Sequence, residues 1–154
     1  MENTVYLASP FFNKKEKLIK GMVRQHLIDV GFELHDPQTP SSPSSWENDN
    51  STWGAYTFNK DIESIQNSTY VVAIDWGLYG DCGTAWEIGY AHALGKPVLV
   101  LVPDETLPLP HSLMVANGSI NFISISRFLT LDKKDIDGVL AGNTFFFLSG
   151  VEQK

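Results

Sequence analysis

The 154-residue sequence holds a single cysteine, Cys82, which excludes an intramolecular disulfide and any cysteine-rich metal site. A reducing compartment fits such a chain best. Basic residues are also scarce: 11 Lys and Arg stand against 18 Asp and Glu, for a formal net charge of -7. Affinity for nucleic acid rests on Lys and Arg displacing counterions from phosphates, so a polynucleotide partner is not expected. No apolar run approaches the ~20 residues that span a bilayer, and Met1-Glu2-Asn3-Thr4 has neither the basic start nor the apolar core of a signal peptide. The expectation is a cytoplasmic protein without membrane contact. Phosphate-cradling fingerprints are missing too. Gly77, Gly80 and Gly83 are spaced through one loop, but no Gly-Lys-Ser/Thr accompanies them, and the first strand lacks the glycine pattern of dinucleotide binders. His26, His35, His92 and His111 fall in separate segments without metal-ligand spacing and read as structural or surface histidines.

What is present is ordinary globular material, 43% hydrophobic and 19% charged. The length suits one domain over residues 1–154, able to bury about 68–70% of its unfolded surface. Val5-Tyr6-Leu7-Ala8, closed by Ser9-Pro10, reads as a first strand. Leu18, Ile19, Met22, Val23, Leu27 and Val30 then recur at helical spacing, with Lys14, Lys15 and Lys17 on the other face and Gly31 as the stop. Phe32 to His35 is a second short strand. Residues 36–54 are dense in Pro, Ser, Asn and Asp around Trp46 and Trp53, which predicts a long loop, either a lid over a ligand or a surface insertion. A helix is expected over Tyr56 to Ile65, a buried strand over Tyr70 to Ile74, a helix over Thr84 to Leu94 and another buried strand over Pro97 to Val102. Asn121 to Ile125 adds a fifth strand, and Thr144 to Leu148 is a candidate for an extra edge strand near the C-terminus. This alternation predicts an α/β domain, a doubly wound, mainly parallel five-stranded sheet with helices on both faces. Ligands of such sheets sit beyond the carboxyl ends of the strands. The loops there carry Ser9, Asp75, Asp81, the start of the Glu87 helix, and Asp104.

The segment Gly80-Asp81-Cys82-Gly83-Thr84-Ala85-Trp86-Glu87-Ile88-Gly89-Tyr90-Ala91 places two carboxyl groups around a turn and the start of a helix. Two readings stand side by side. In one, Thr84 caps the helix and Glu87, three residues on, folds back to complete a capping box. In the other, the backbone dipoles hold Glu87 ionised as a nucleophile, and attack on the anomeric carbon of a sugar gives an ester, as in retaining glycosidases. A second carboxyl must then protonate the leaving base, and Asp61 and Asp81 are the applicants. By spacing alone Asp61 is equally a solvated surface residue, and Tyr6 equally a core aromatic with a satisfied hydroxyl. Cys82 reads as a bystander thiol.

Three segments together resemble the nucleoside 2-deoxyribosyltransferases: Tyr6-Leu7-Ala8-Ser9-Pro10-Phe11-Phe12, Tyr56 to Ile65 with Asp61 in its middle, and Asp81 through Ala91. The resemblance implies a flavodoxin-like fold, no cofactor and no metal. It implies Glu87 as nucleophile, Tyr6 as the hydroxyl that orients it, and Asp61 as principal acid and base. Asp81, Ser9, Phe12, Trp53, Ser112 and Met114 are implied as substrate-binding, with Ser112 reaching a neighbouring subunit's site in a homo-oligomer. The implied substrates are 2'-deoxynucleosides and free nucleobases. Two departures bear on this: Ser112 stands where the family usually has Asn, and the chain ends Val151-Glu152-Gln153-Lys154 where the family ends on an aromatic residue. A glycosidase of deoxynucleoside 5'-monophosphates is the nearest rival, with Lys14 and Lys15 as its candidate phosphate ligands, and a non-catalytic nucleotide-sensing module is a second.

Overall fold

A computed structural model describes residues 3–35 and 50–143. Five strands, β1 (Thr4–Ala8), β2 (Glu33–His35), β3 (Tyr70–Ile74), β4 (Val98–Val102) and β5 (Asn121–Ser124), form one sheet in the order β2-β1-β3-β4-β5. Every neighbouring pair is parallel. This is the flavodoxin-like arrangement expected from the alternation of strands and helices. The helices are α1 (Lys14–Val30), α2 (Asn50–Asn67), α3 (Cys82–Ala93), α4 (Leu113–Gly118), α5 (Ile125–Phe128) and α6 (Lys133–Leu140).

Strand side chains alternate between faces, and the core divides accordingly. Val5, Leu7, Val72, Ile74, Leu99, Leu101 and Ile123 pack with Val23 and Leu27 of α1 and with Phe128, Ile136, Val139 and Leu140 of α5 and α6. Tyr6, Ala8, Val71, Ala73, Val98, Val100 and Val102 face the other way, onto Ile65 of α2, Ile88 and Ala91 of α3, and Val115 of α4. With both faces covered, β4 is apolar throughout, and each of its buried side chains contributes about 1.5–3 kcal/mol.

Two helix starts differ from the sequence expectation. Helix α2 begins at Asn50, so Trp53 lies on a helix and not in a loop. The helix-breaking prolines end at Pro43, Ser and Thr are favourable at a helix start, and Gly54 costs only about 1 kcal/mol there. Helix α3 begins at Cys82, capped by Asp81 and not by Thr84. Helices α4, α5 and α6 were not anticipated, although the capping box of Asp132 and Asp135 at the start of α6 is visible as sequence. Trp46, residues 36–49, the candidate strand at Thr144 to Leu148 and the C-terminal residues lie outside the described residues. Among the described residues no helix is long and apolar enough to cross a membrane.

Candidate active site

The chain passes from β1 through α1 to β2 on one side, then returns through α2 to β3 on the other side of β1. The crevice of this reversal lies between β1 and β3, the place where open α/β sheets bind ligands. Tyr6 comes to it from β1, where it pairs in register with Val71 of β3, and its ring is buried. Glu87 comes from the second turn of α3. The Tyr6 hydroxyl donates to Glu87 Oε2.

The start of α3 removes one of the two sequence readings of Glu87. Asp81 is the N-cap: its Oδ2 accepts from the Thr84 backbone N–H at 2.8 Å and from the Thr84 hydroxyl at 3.0 Å. Glu87 is therefore not the capping-box partner. It sits six residues past the cap, beyond the first turn, where the helix dipole acts. Nor is it held ionised by that dipole. Burial pushes its pKa up from 4.5 to about 7, the Tyr6 hydrogen bond opposes this, the charges of Asp61 and Asp81 add to the rise, and the Lys20 charge lowers it. Tyr6 of β1 and Glu87 of α3 thus meet directly, and Asp61 of α2 and Asp81 of the β3–α3 loop converge on them closely enough for their charges to act on Glu87.

The cation in this set was overlooked in the sequence. Unlike Lys14, Lys15 and Lys17, Lys20 is 3% exposed, with its ammonium 4.8 Å from the centre of the Phe11 ring. The signal was there: Lys20, Val23 and Leu27 recur at helical spacing and are the three buried residues of the helix, whereas Leu18 and Met22 are exposed.

The other sequence candidates have surroundings of their own. The Ser9 hydroxyl donates to the Pro10 carbonyl, and Phe12 is exposed and stacked on Phe11. Trp53 is partly exposed on α2. Ser112 is the N-cap of α4, its Oγ accepting from Val115, and Met114 is exposed on the same helix. Asp75 and Asp104 do not join the crevice cluster, because each is committed to holding loops. Asp75 binds His111, and Asp104 Oδ1 accepts from the Ser126 amide. A cavity of about 390 Å³, lined by residues that include Asn13, Trp76, Glu105 and Leu109, contains none of the four converging groups. Among the described residues no three His, Cys, Asp or Glu side chains are grouped to hold a metal ion.

Residues 5–121 match the model of the nucleoside 2-deoxyribosyltransferase family. Similar curated proteins are the nucleoside deoxyribosyltransferases of Lactobacillus leichmannii, 33% identical over 75 residues, and of Lactobacillus johnsonii, 32% identical over 80 residues. These matches cover 49% and 52% of this chain and 48% and 54% of the two relatives, so the matched segment spans about half the length of each. A solved 2-deoxyribosyltransferase of the psychrotolerant bacterium Bacillus psychrosaccharolyticus is 29% identical with a TM-score of 0.70, over 85% of this chain and 93% of that one. A CMP N-glycosidase of Clostridium botulinum, 19% identical with a TM-score of 0.58 over 87% of this chain and 98% of that one, shares the fold.

Proposed function

The chain belongs to the nucleoside 2-deoxyribosyltransferase family, and we propose that it moves 2-deoxyribose from a 2'-deoxynucleoside to a free purine or pyrimidine base through an ester on Glu87. The observation that carries this reading is the Tyr6 hydroxyl donating to a partly buried Glu87 whose charge Asp61 and Asp81 oppose. With a pKa of about 7, on the order of half of Glu87 is carboxylate at neutral pH. The remaining lone pairs of that carboxylate are available to carbon, while the phenol fixes its direction.

In the first half-reaction a Glu87 oxygen bonds to C1' as the C1'–N bond breaks. The bonding pair leaves on the base nitrogen, which takes a proton from Asp61. In the second, a nitrogen of the incoming base bonds to C1', its proton passes to Asp61, and the C1'–O bond breaks to return the Glu87 carboxylate. Like charges at Asp61 and Glu87 oppose one another, which suits one carboxyl acting as an acid while the other acts as a nucleophile. Asp81, Ser9, Phe12 and Trp53 are assigned to sugar and base binding. Ser112 and Met114, exposed on α4, are assigned to the site of a second copy in a homo-oligomer, which sedimentation at micromolar concentration tests.

The phosphate-recognising alternative has less to draw on, because Lys15 is engaged by Glu105. Incubation with deoxyinosine and adenine decides between them: deoxyadenosine supports transfer, and free deoxyribose alone supports hydrolysis. Intact mass should show a deoxyribose adduct that is lost in Glu87→Ala. A protein that binds deoxynucleosides but exchanges no base is a sensor.

A further inference from the structure

A second buried polar pair lies at the same edge of the sheet and takes no part in the chemistry above. Asp75 directly follows β3, and His111 directly precedes the N-cap of α4. His111 Nδ1 is 3.0 Å from Asp75 Oδ2, and its Nε2 is 3.1 Å from the Thr106 carbonyl oxygen. A ring N–H on Nδ1 donates to the Asp75 carboxylate. The two side chains are 3% and 12% exposed, and Phe122 of β5 packs edge-on against the imidazole.

The loop between Asp75 and Asp81 is wrapped closely around this pair. A Cβ on Gly77 would come within 3.1 Å of His111 Cε1 and of the Pro110 carbonyl oxygen. One on Gly80 would lie 2.9 Å from the Gly77 carbonyl oxygen and 3.1 Å from Asp75 Oδ1. Gly77 also has φ 63°, a conformation that favours glycine. The loop belongs to no sheet ladder, and its internal bonds are the short turns from Tyr79 to Trp76 and from Gly80 to Gly77. Its downstream end is Asp81, which caps α3 and acts on Glu87. One ring therefore ties the loop that delivers Asp81 to the segment that delivers Ser112.

We propose that His111 and Asp75 form a positioning clamp that fixes the Asp81 carboxyl group beside Glu87 by holding the β3–α3 loop to the segment before α4. The functional weight of Asp81 rests on the transferase reading, whereas the clamp itself does not. Breaking the clamp leaves buried polar groups without partners and frees the loop.

Two readouts on the full chain test it. The Thr84 amide, which donates to Asp81 Oδ2, reports the cap without any substrate. In His111→Ala that amide resonance should move and its exchange protection fall by roughly tenfold, whereas His111→Asn, which keeps an N–H towards Asp75, should restore both. The rate of adduct formation on Glu87 should fall by roughly tenfold in His111→Ala, and this loss should vanish when the substitution is made in an Asp81→Ala background. Should His111→Ala not fold, Asp75→Asn, which keeps an acceptor oxygen, is expected to show the same changes at smaller amplitude. An unchanged Thr84 amide in folded His111→Ala or Asp75→Asn overturns the clamp, as does an undiminished loss of rate without Asp81. If the wild-type protein forms no adduct, the transferase reading fails while the amide still decides the clamp.

Discussion

Two partly buried carboxyl groups at the carboxyl edge of one sheet meet very different surroundings. Asp75 faces an imidazole whose other nitrogen lies 3.1 Å from the Thr106 carbonyl oxygen, and the loop around them leaves no room for a Cβ at Gly77 or Gly80. Glu87 faces one phenol, with two further acids near enough to oppose its charge and one buried ammonium in partial compensation. The first group is matched and immobile, a scaffold. The second is left with competing influences and a pKa of about 7, which keeps both its protonated and its ionised forms within reach. Each has one side-chain donor, and the charges that face the second set it apart.

The contrast is broken most severely by removing Glu87. Glu87→Ala should abolish base exchange by more than about a thousandfold and leave the fold intact, whereas disruption of His111 should cost only about tenfold. Comparable losses at the two sites would erase the distinction between reactive group and scaffold.

Stability offers the next largest effect. The unfolded chain releases the Glu87 proton near 4.5, while the folded chain holds it to about 7. Between these values the folded state binds more protons, so stability falls as pH rises through the window, by ~3 kcal/mol in total. Glu87→Gln stays neutral and escapes this loss. Its advantage over the wild type in urea melts should therefore grow by ~3 kcal/mol between pH 4 and pH 8. A constant difference would mean that Glu87 is solvated.

Smaller changes sharpen the comparison by altering the donors. Tyr6→Phe removes the hydrogen bond that favours the carboxylate, which moves the acid limb of the rate profile to higher pH. At pH 6 the rate should fall by roughly tenfold, with a smaller loss at pH 8. Lys20→Met should shift the same limb in the same direction, with a loss of a few-fold at pH 6. A shift towards lower pH in either variant would contradict the arrangement of charges described for Glu87.

Much of this was legible in the chain because it depends on local pattern. The apolar runs at Tyr70 to Ile74 and Val98 to Val102 announce strands covered on both faces, and Gly31, at φ 108°, marks the end of α1. The segment Asp81 to Ala91 announces a helix start with acids around it. The identity of the cap was not legible. Asp81 and Thr84 are both good caps with helical sequence beyond them, and only the position at which the chain leaves the Gly77–Tyr79 turn selects Asp81. The start of α2 was hidden in the same way, since Asn, Ser, Thr and Gly serve loops and helix ends alike.

Periodicity and motif spacing by themselves determined the parallel α/β sheet, and the resemblance of three short segments to a known family singled out Glu87, Asp61, Asp81 and Tyr6 as the residues of interest. These properties are written in consecutive residues, because secondary structure follows periods of two and 3.6. The tertiary structure decided that Asp81 and not Glu87 completes the cap of α3, that the Lys20 charge acts on Glu87, and that Asp75 is bound to His111. The last two depend on groups tens of residues apart being brought together and removed from water, and it is the loss of water that turns proximity into a hydrogen bond or a shifted pKa.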